Sequence, residues 1–168
     1  MSGHSKWSQI KYKKALTDAK KGQIFSRISK LITIAARKGA DPKTNSSLAQ
    51  VVEKARSVNM PKDNIDRAIK KASDKSQEQL EELSIEAIGP GNVPLKIRVI
   101  TDSRNRTISE IKNILGNFKT KMVPPGSISW MFRQQTPTLD ESTQQQVNRL
   151  FGALDEHDDI EDVTTNLG

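Results

Sequence analysis

The residues able to carry chemistry are few. Cysteine is absent and histidine occurs twice, as His4 and His157. Thiol nucleophiles, disulfides, iron–sulfur clusters and cysteine-based zinc sites are therefore excluded together. His157 lies in the run Asp155-Glu156-His157-Asp158-Asp159. That run lacks the glycine and ligand spacing of a calcium loop and a second histidine for a zinc set, so a solvated helix-to-strand loop is expected. Gly89-Pro90-Gly91 has the composition of a turn, and no glycine-rich phosphate loop ending in Lys-Ser/Thr occurs. Glu81-Glu82, the nearest approach to a catalytic carboxylate pair, sits in polar linker sequence rather than an apolar cleft. The expectation is a protein without catalytic residues, without a metal and without a cofactor.

Binding chemistry is better supplied. Residues 4–21 form an arm in which Lys6, Lys11, Lys13, Lys14, Lys20 and Lys21 can meet phosphates, with Trp7 and Tyr12 interleaved. Lysine–phosphate contacts give sequence-independent affinity, and aromatic rings add stacking on exposed bases. The competing reading is a solubilising tail with Trp7 anchored on the helices that follow. A second constellation, Asp102-Ser103-Arg104-Asn105-Arg106-Thr107, falls between a strand end and a helix start. There Arg104 and Arg106 could join a helix N-terminus in holding an anion. Alternatively, Thr107 caps the helix and an arginine pairs with Asp102.

The charge distribution agrees with a polyanionic partner. Residues 1–75 hold 18 Lys and Arg against 6 Asp and Glu, whereas residues 76–168 hold 9 against 14. The net +7 thus conceals a strongly basic first half, the electrostatic footprint of a nucleic-acid binder. No apolar run approaches the roughly 20 residues of a membrane-spanning helix, and the N-terminus lacks the apolar stretch of a secretory signal. A cytoplasmic protein is expected, with a mitochondrial matrix or other organelle also compatible.

The elements that must position these groups change character near residue 80. In the first half, Ile24, Phe25, Ile28, Leu31, Ile32 and Ala35 form one stripe of a helix over 22–38, ended by Gly39. Arg27, Lys30 and Arg37 are expected on its opposite face. Leu48, Val51, Val52 and Ala55 mark a second helix over 46–58. A third opens at Pro61, with Ile65, Ala68, Ile69 and Ala72 inward and Lys62, Arg67, Lys70 and Lys71 left for solvent or a ligand. After a polar linker over 74–82, alternation predicts strands at 83–88 and 94–101 around a Gly-Pro-Gly-Asn turn. Thr107 and Glu110 suggest a capping box opening a helix. Ile128, Trp130 and Phe132 alternate as in a strand that buries Trp130 and Phe132. A helix over 140–154 and a short strand over 160–165 complete the order ββαβαβ. The fold class is α+β: a basic three-helix domain within 1–75, then a two-layer, ferredoxin-like sandwich over 80–168.

Together these segments resemble the YebC family. Gly3-His4-Ser5-Lys6-Trp7 is similar to its N-terminal signature, and Asn59-Met60-Pro61-Lys62-Asp63-Asn64-Ile65-Asp66-Arg67-Ala68-Ile69 to its third-helix motif. Arg104-Asn105-Arg106-Thr107 matches a loop usually written Ser-Asp-Asn-Arg-Asn-Arg-Thr, with departures at Thr101 and Ser103. Gly126-Ser127-Ile128-Ser129-Trp130-Met131-Phe132 resembles the family's Gly-Ser-Val strand, and the hairpin at 87–92 departs from a more aromatic- and glycine-rich version. Family members commonly insert a third α+β domain after the Gly-Ser-Val strand. Here Arg133-Gln134-Gln135-Thr136-Pro137 leads directly to what resembles the final helix and strand, so that domain is expected to be absent near 133–138.

The resemblance implies a nucleic-acid-binding regulator of one of two kinds: a DNA-binding transcriptional regulator, or a ribosome-associated translation factor that helps difficult sequences such as proline runs. The residues favour sequence-tolerant binding of an RNA backbone over the reading of bases. No segment shows a recognition helix rich in base-reading Asn, Gln and Arg, and lysine suits phosphate more than base edges. The strand at 94–101 also lacks the paired aromatics of an RNA-recognition sheet. The expected partner is rRNA or the ribosome, with DNA as the alternative. A monomer is expected, with neither a membrane nor a small-molecule substrate among its partners.

Overall fold

A computed structural model describes residues 17–77, 79–134 and 138–167. The chain divides into two compact units, one formed by Leu16–Glu81 with Ile100–Ser103, the other including Glu82–Val99 and Arg104–Gly168.

The first unit is built on three helices: α1 (Asp18–Ala36), α2 (Ser46–Ser57) and α3 (Lys62–Lys70). Helix α1 starts four residues before the point predicted from its apolar stripe. The Thr17 side chain accepts a hydrogen bond from the Lys20 amide at 3.2 Å and caps the helix there. Ile24, Ile28 and Ile32 meet Leu48, Val52 and Ala55 of α2 and Ile65 and Ala68 of α3 in one core. The Thr33 hydroxyl, buried in α1, lies 3.0 Å from the Ala68 carbonyl of α3 and 2.9 Å from that of Ser29.

Asn45 organises the turn between α1 and α2. Its Oδ1 accepts from the Leu48 amide at 3.1 Å, capping α2, while its Nδ2 donates to the carbonyls of Ala35 and Gly39, each at 2.8 Å. Replacement by Ala removes the cap and leaves those carbonyls short of a donor. The Asn45→Ala variant should lose about 2–3 kcal/mol of stability. Asn45→Asp keeps the cap acceptor but not the donors and should lose about half as much, which urea denaturation of the full chain can resolve.

A polar linker was expected over 74–82; two short 3-10 turns, Lys71–Ser73 and Lys75–Gln77, lie just before it and in its first part, and a strand already begins at Glu81. Beyond the turns Leu80 is buried against Leu31 and Ile100, and Arg37 Nη1 donates to its carbonyl at 2.7 Å.

The second unit is a two-layer sandwich in the order β1 (Glu81–Gly89), β2 (Val93–Thr101), α4 (Arg104–Asn117), β3 (Lys121–Val123), α5 (Glu141–Asp155) and β4 (Ile160–Thr165). The four strands lie in the order β3-β1-β2-β4. Strands β1 and β3 pair antiparallel with Ala87 opposite Met122, and β2 and β4 pair antiparallel with Ile97 opposite Val163. Leu83, Ile85 and Ala87 of β1 and Leu95, Ile97 and Val99 of β2 share one face by the period of two. They pack with Ile111 and Leu115 of α4 and Val147, Leu150, Phe151 and Leu154 of α5. Asp140 caps α5, its Oδ1 accepting from the Thr143 amide at 2.7 Å.

That backbone hydrogen bond holds the Asp140 carboxyl below its ordinary pKa. The cap therefore contributes fully above the unfolded carboxyl value and is lost as pH falls through the folded one. Protection of the Thr143 amide, measured against its intrinsic exchange rate at each pH, should fall in that acid range, and Asp140→Asn, which caps without titrating, should remove the dependence.

Two local expectations are corrected. The strand predicted over 128–132 is a 3-10 helix, Ser129–Arg133, and the third strand is Lys121–Val123. The inward residues are Ile128 and Met131, spaced by the three-residue period of a 3-10 turn. Trp130, expected to be buried, is 58% exposed, its indole N–H satisfied by the Ser127 carbonyl at 3.1 Å; Phe132 is half-buried. The loop is pinned through the Gly126 amide, which donates to the buried Glu86 carboxylate at 2.6 Å. The second correction concerns Thr107, which lies inside α4 rather than at its cap. Its hydroxyl has a tertiary acceptor, Asp159 Oδ2 at 2.7 Å.

Candidate nucleic-acid interface

Cations cover much of the helical unit. Lys21 is exposed in the first turn of α1, and Lys20, half-buried beside it, donates to Gln23 Oε1 at 2.9 Å. Arg37 and Lys38 follow α1, and Lys43 lies in the next turn. Lys54 and Arg56 stand on α2, and Lys62, Arg67 and Lys70 on α3, all exposed. The charge is thus distributed over three helices and their connections, with no helix concentrating it. Such a surface can neutralise several phosphates of one strand without reading base edges.

The sequence-derived site residues fare unequally. Lys6, Trp7, Lys11, Tyr12, Lys13 and Lys14 lie outside the described residues. Lys30 is half-buried and Arg37 exposed, in keeping with a position roughly opposite the α1 stripe. Arg27 is not opposite that stripe: it is only 2% exposed. Three residues after Ile24, it falls on the flank of the apolar face, where an arginine stem can pack against the core. Lys54 and Arg56 were missed, although their position away from Leu48, Val52 and Ala55 carries the same signal that picked out Lys62 and Lys70.

Arg104 and Arg106 belong to the other unit, both exposed at the start of α4. Arg106 has two acidic partners outside its own loop. Its Nη2 lies 2.9 Å from Asp159 Oδ2 and its Nη1 3.1 Å from Glu110 Oε2. Partial desolvation opposes the guanidinium charge, but Asp159 and then Glu110 outweigh it and raise Arg106 above its ordinary pKa. His157 joins the same cluster. Its Nδ1 accepts from the Asp159 amide at 3.1 Å, so the neutral ring carries its proton on Nε2, 2.6 Å from Glu110 Oε2. Glu110, His157 and Asp159 thus converge within 4.8 Å, the one grouping of metal-ligand type among the described residues. The Arg106 guanidinium supplies the cation there. The loop expected to be solvated is instead ion-paired, with His157 and Asp159 of the turn before β4 clasped to α4.

Among the described residues no helix is long and apolar enough to cross a membrane.

Comparison with known proteins gives a consistent picture. A family model for the TACO1/YebC protein N-terminal domain matches residues 5–75, and one for the TACO1/YebC second and third domain matches residues 80–137. A relative from Finegoldia magna is 47% identical over 137 residues, covering 80% of this chain and 57% of the relative. One from Solibacter usitatus is 43% identical over 151 residues, covering 88% and 61%. A third, from Pseudothermotoga lettingae, is 36% identical over 99% of this chain and 70% of its own length. All three are named "probable transcriptional regulatory protein". The chain spans about three fifths of the length of the first two. The crystal structure of a conserved hypothetical protein from Aquifex aeolicus superimposes with a TM-score of 0.82 at 28% identity, covering 98% of this chain and 97% of that one.

Proposed function

The chain belongs to the TACO1/YebC family, and we propose that it is a non-catalytic regulatory protein that binds RNA through its phosphates, with ribosomal RNA as the partner. The observation that carries this reading is the spread of exposed Lys and Arg over α1, α2, α3 and their connections. A base-reading protein presents one element to a groove, with side chains of fixed geometry aimed at base edges. A scattered lysine-rich surface instead follows a backbone of irregular shape, as folded RNA offers. The arm adds Lys6, Lys11, Lys13, Lys14, Lys20 and Lys21 as phosphate contacts and Trp7 and Tyr12 as stacking surfaces in this reading. Arg104 has the exposure for a further contact, whereas Arg106 contributes first to the clasp with Asp159.

The relatives' names favour a second reading, a DNA-binding transcriptional regulator. The two readings separate in a binding assay with folded RNA and duplex DNA of several sequences. Phosphate-directed RNA binding predicts preference for RNA, little dependence on sequence and steep loss of affinity with salt. A duplex bound selectively, with about 1–3 kcal/mol lost per altered base pair, would establish the transcriptional reading instead.

A further inference from the structure

A cleft of about 470 Å³ opens on the helical unit between α2, α3 and the turn at Ala40 and Pro42. This volume is within the range of small-molecule clefts. Its floor is apolar, formed by Val52, Met60 and Ile65. Its rim is charged: Arg56, Lys62 and Lys70 are all exposed, with Asp66 the single acid among them. Arg56 approaches Glu53 at 3.9 Å, an exposed pairing too weak to hold it from another anion.

An occupant must therefore bring an apolar face and negative charge on the same small body. An unpaired nucleotide does so: the base offers a flat apolar surface, and the phosphates on either side lie within reach of a cationic rim. A base within a duplex cannot, because both of its faces are stacked. Resting on the RNA-binding reading above, we infer that this cleft receives one unpaired nucleotide of single-stranded RNA. The base lies on Val52, Met60 and Ile65, and its phosphates meet Arg56, Lys62 and Lys70. The Asp66 carboxylate can accept from the exposed exocyclic amino group of a base such as cytosine, whereas the single ring N–H of uracil lies between two carbonyl oxygens that repel a carboxylate, so cytosine is favoured over uracil.

The test is titration of the full chain with a cytidine pentamer, a uridine pentamer and a short RNA duplex, followed by the methyl resonances of Val52, Met60, Ile65 and Ile69. The pentamers should shift these methyls and the duplex should not. The cytidine pentamer should bind several-fold tighter than the uridine one, and Asp66→Asn should erase that difference. Ala40→Trp, made at an exposed mouth residue, should fill the cleft and cost roughly tenfold in pentamer affinity, the scale of one lost base contact. The double reversal Arg56→Glu with Lys70→Glu should do so without altering the floor. Pentamers that bind while the methyls stay unmoved and both variants remain wild-type would overturn the cleft inference and leave the RNA-binding reading intact. Failure of every RNA to bind would remove the reading itself. An acidic apolar peptide that moves the methyls where no pentamer does would assign the cleft to a protein partner instead.

Discussion

Replacing Lys11, Lys13, Lys14, Lys20 and Lys21 together by Gln is expected to weaken RNA binding and flatten its salt dependence by about 2 in log–log slope. That value corresponds to half of the five side chains engaging phosphates, at roughly 0.7–0.9 per contact. The fold should be little affected. Gln and Lys have similar helix propensities, and the cap of α1 is made by the Thr17 side chain on the Lys20 backbone amide, which the substitution keeps. Exchanging Arg104 and Arg106 for Gln should change the slope less, because at most two contacts are removed. Trp7→Ala resolves the role of the ring: lost affinity at constant slope means stacking on bases, and lost thermal stability means an anchor. An unchanged affinity and slope in the five-lysine variant would reduce the arm to a solubilising tail.

The largest effect on stability from a single methyl group is expected at Gly91. This residue turns the β1–β2 hairpin at φ +71°, in the left-handed region. A Cβ there would lie 2.7 Å from Leu139 Cδ2 and 2.9 Å from Thr143 Cγ2. Gly91→Ala therefore combines about 1 kcal/mol of backbone strain with the cost of overpacking against the start of α5, about 1–3 kcal/mol. Gly126 is the matched control. It too has positive φ, +86°, but nothing lies within 4 Å of the added atom, so Gly126→Ala should lose only the backbone share. Urea denaturation of both variants checks the difference; equal losses would show that the Gly91 contact relaxes away.

How much of this architecture could be read from the residues follows from the range of the forces involved. The helices at 46–57 and 141–155 and the strand at 160–165 were legible because a single local period sorts their apolar from their polar positions. The same logic misplaced Arg27, whose spacing from Ile24 puts it on the flank of the stripe. It also failed over 128–132, where a short alternation of Ile128, Trp130 and Phe132 looks like a strand while the buried pair is Ile128 and Met131. What no local pattern could reveal is tertiary pairing. Thr107 and Glu110 have the spacing of a capping box, yet Thr107 bonds Asp159, 52 residues away, and Glu110, besides Arg106 of its own helix, meets His157, 47 residues away. The cleft was hidden for a related reason: Val52 and Ile65 read as ordinary core positions, and only the folded turn at 40–42 leaves them lining an opening with Arg56 and Lys70 at its edge.

The central claim, that the protein grips ribosomal RNA through phosphates, is tested most directly by cosedimentation with ribosomes across a salt series, with duplex DNA added as competitor. The protein should pellet with ribosomes at low salt, be released steeply as salt rises, and be displaced by free rRNA far more effectively than by duplex DNA. Displacement by duplex DNA but not by rRNA would contradict it.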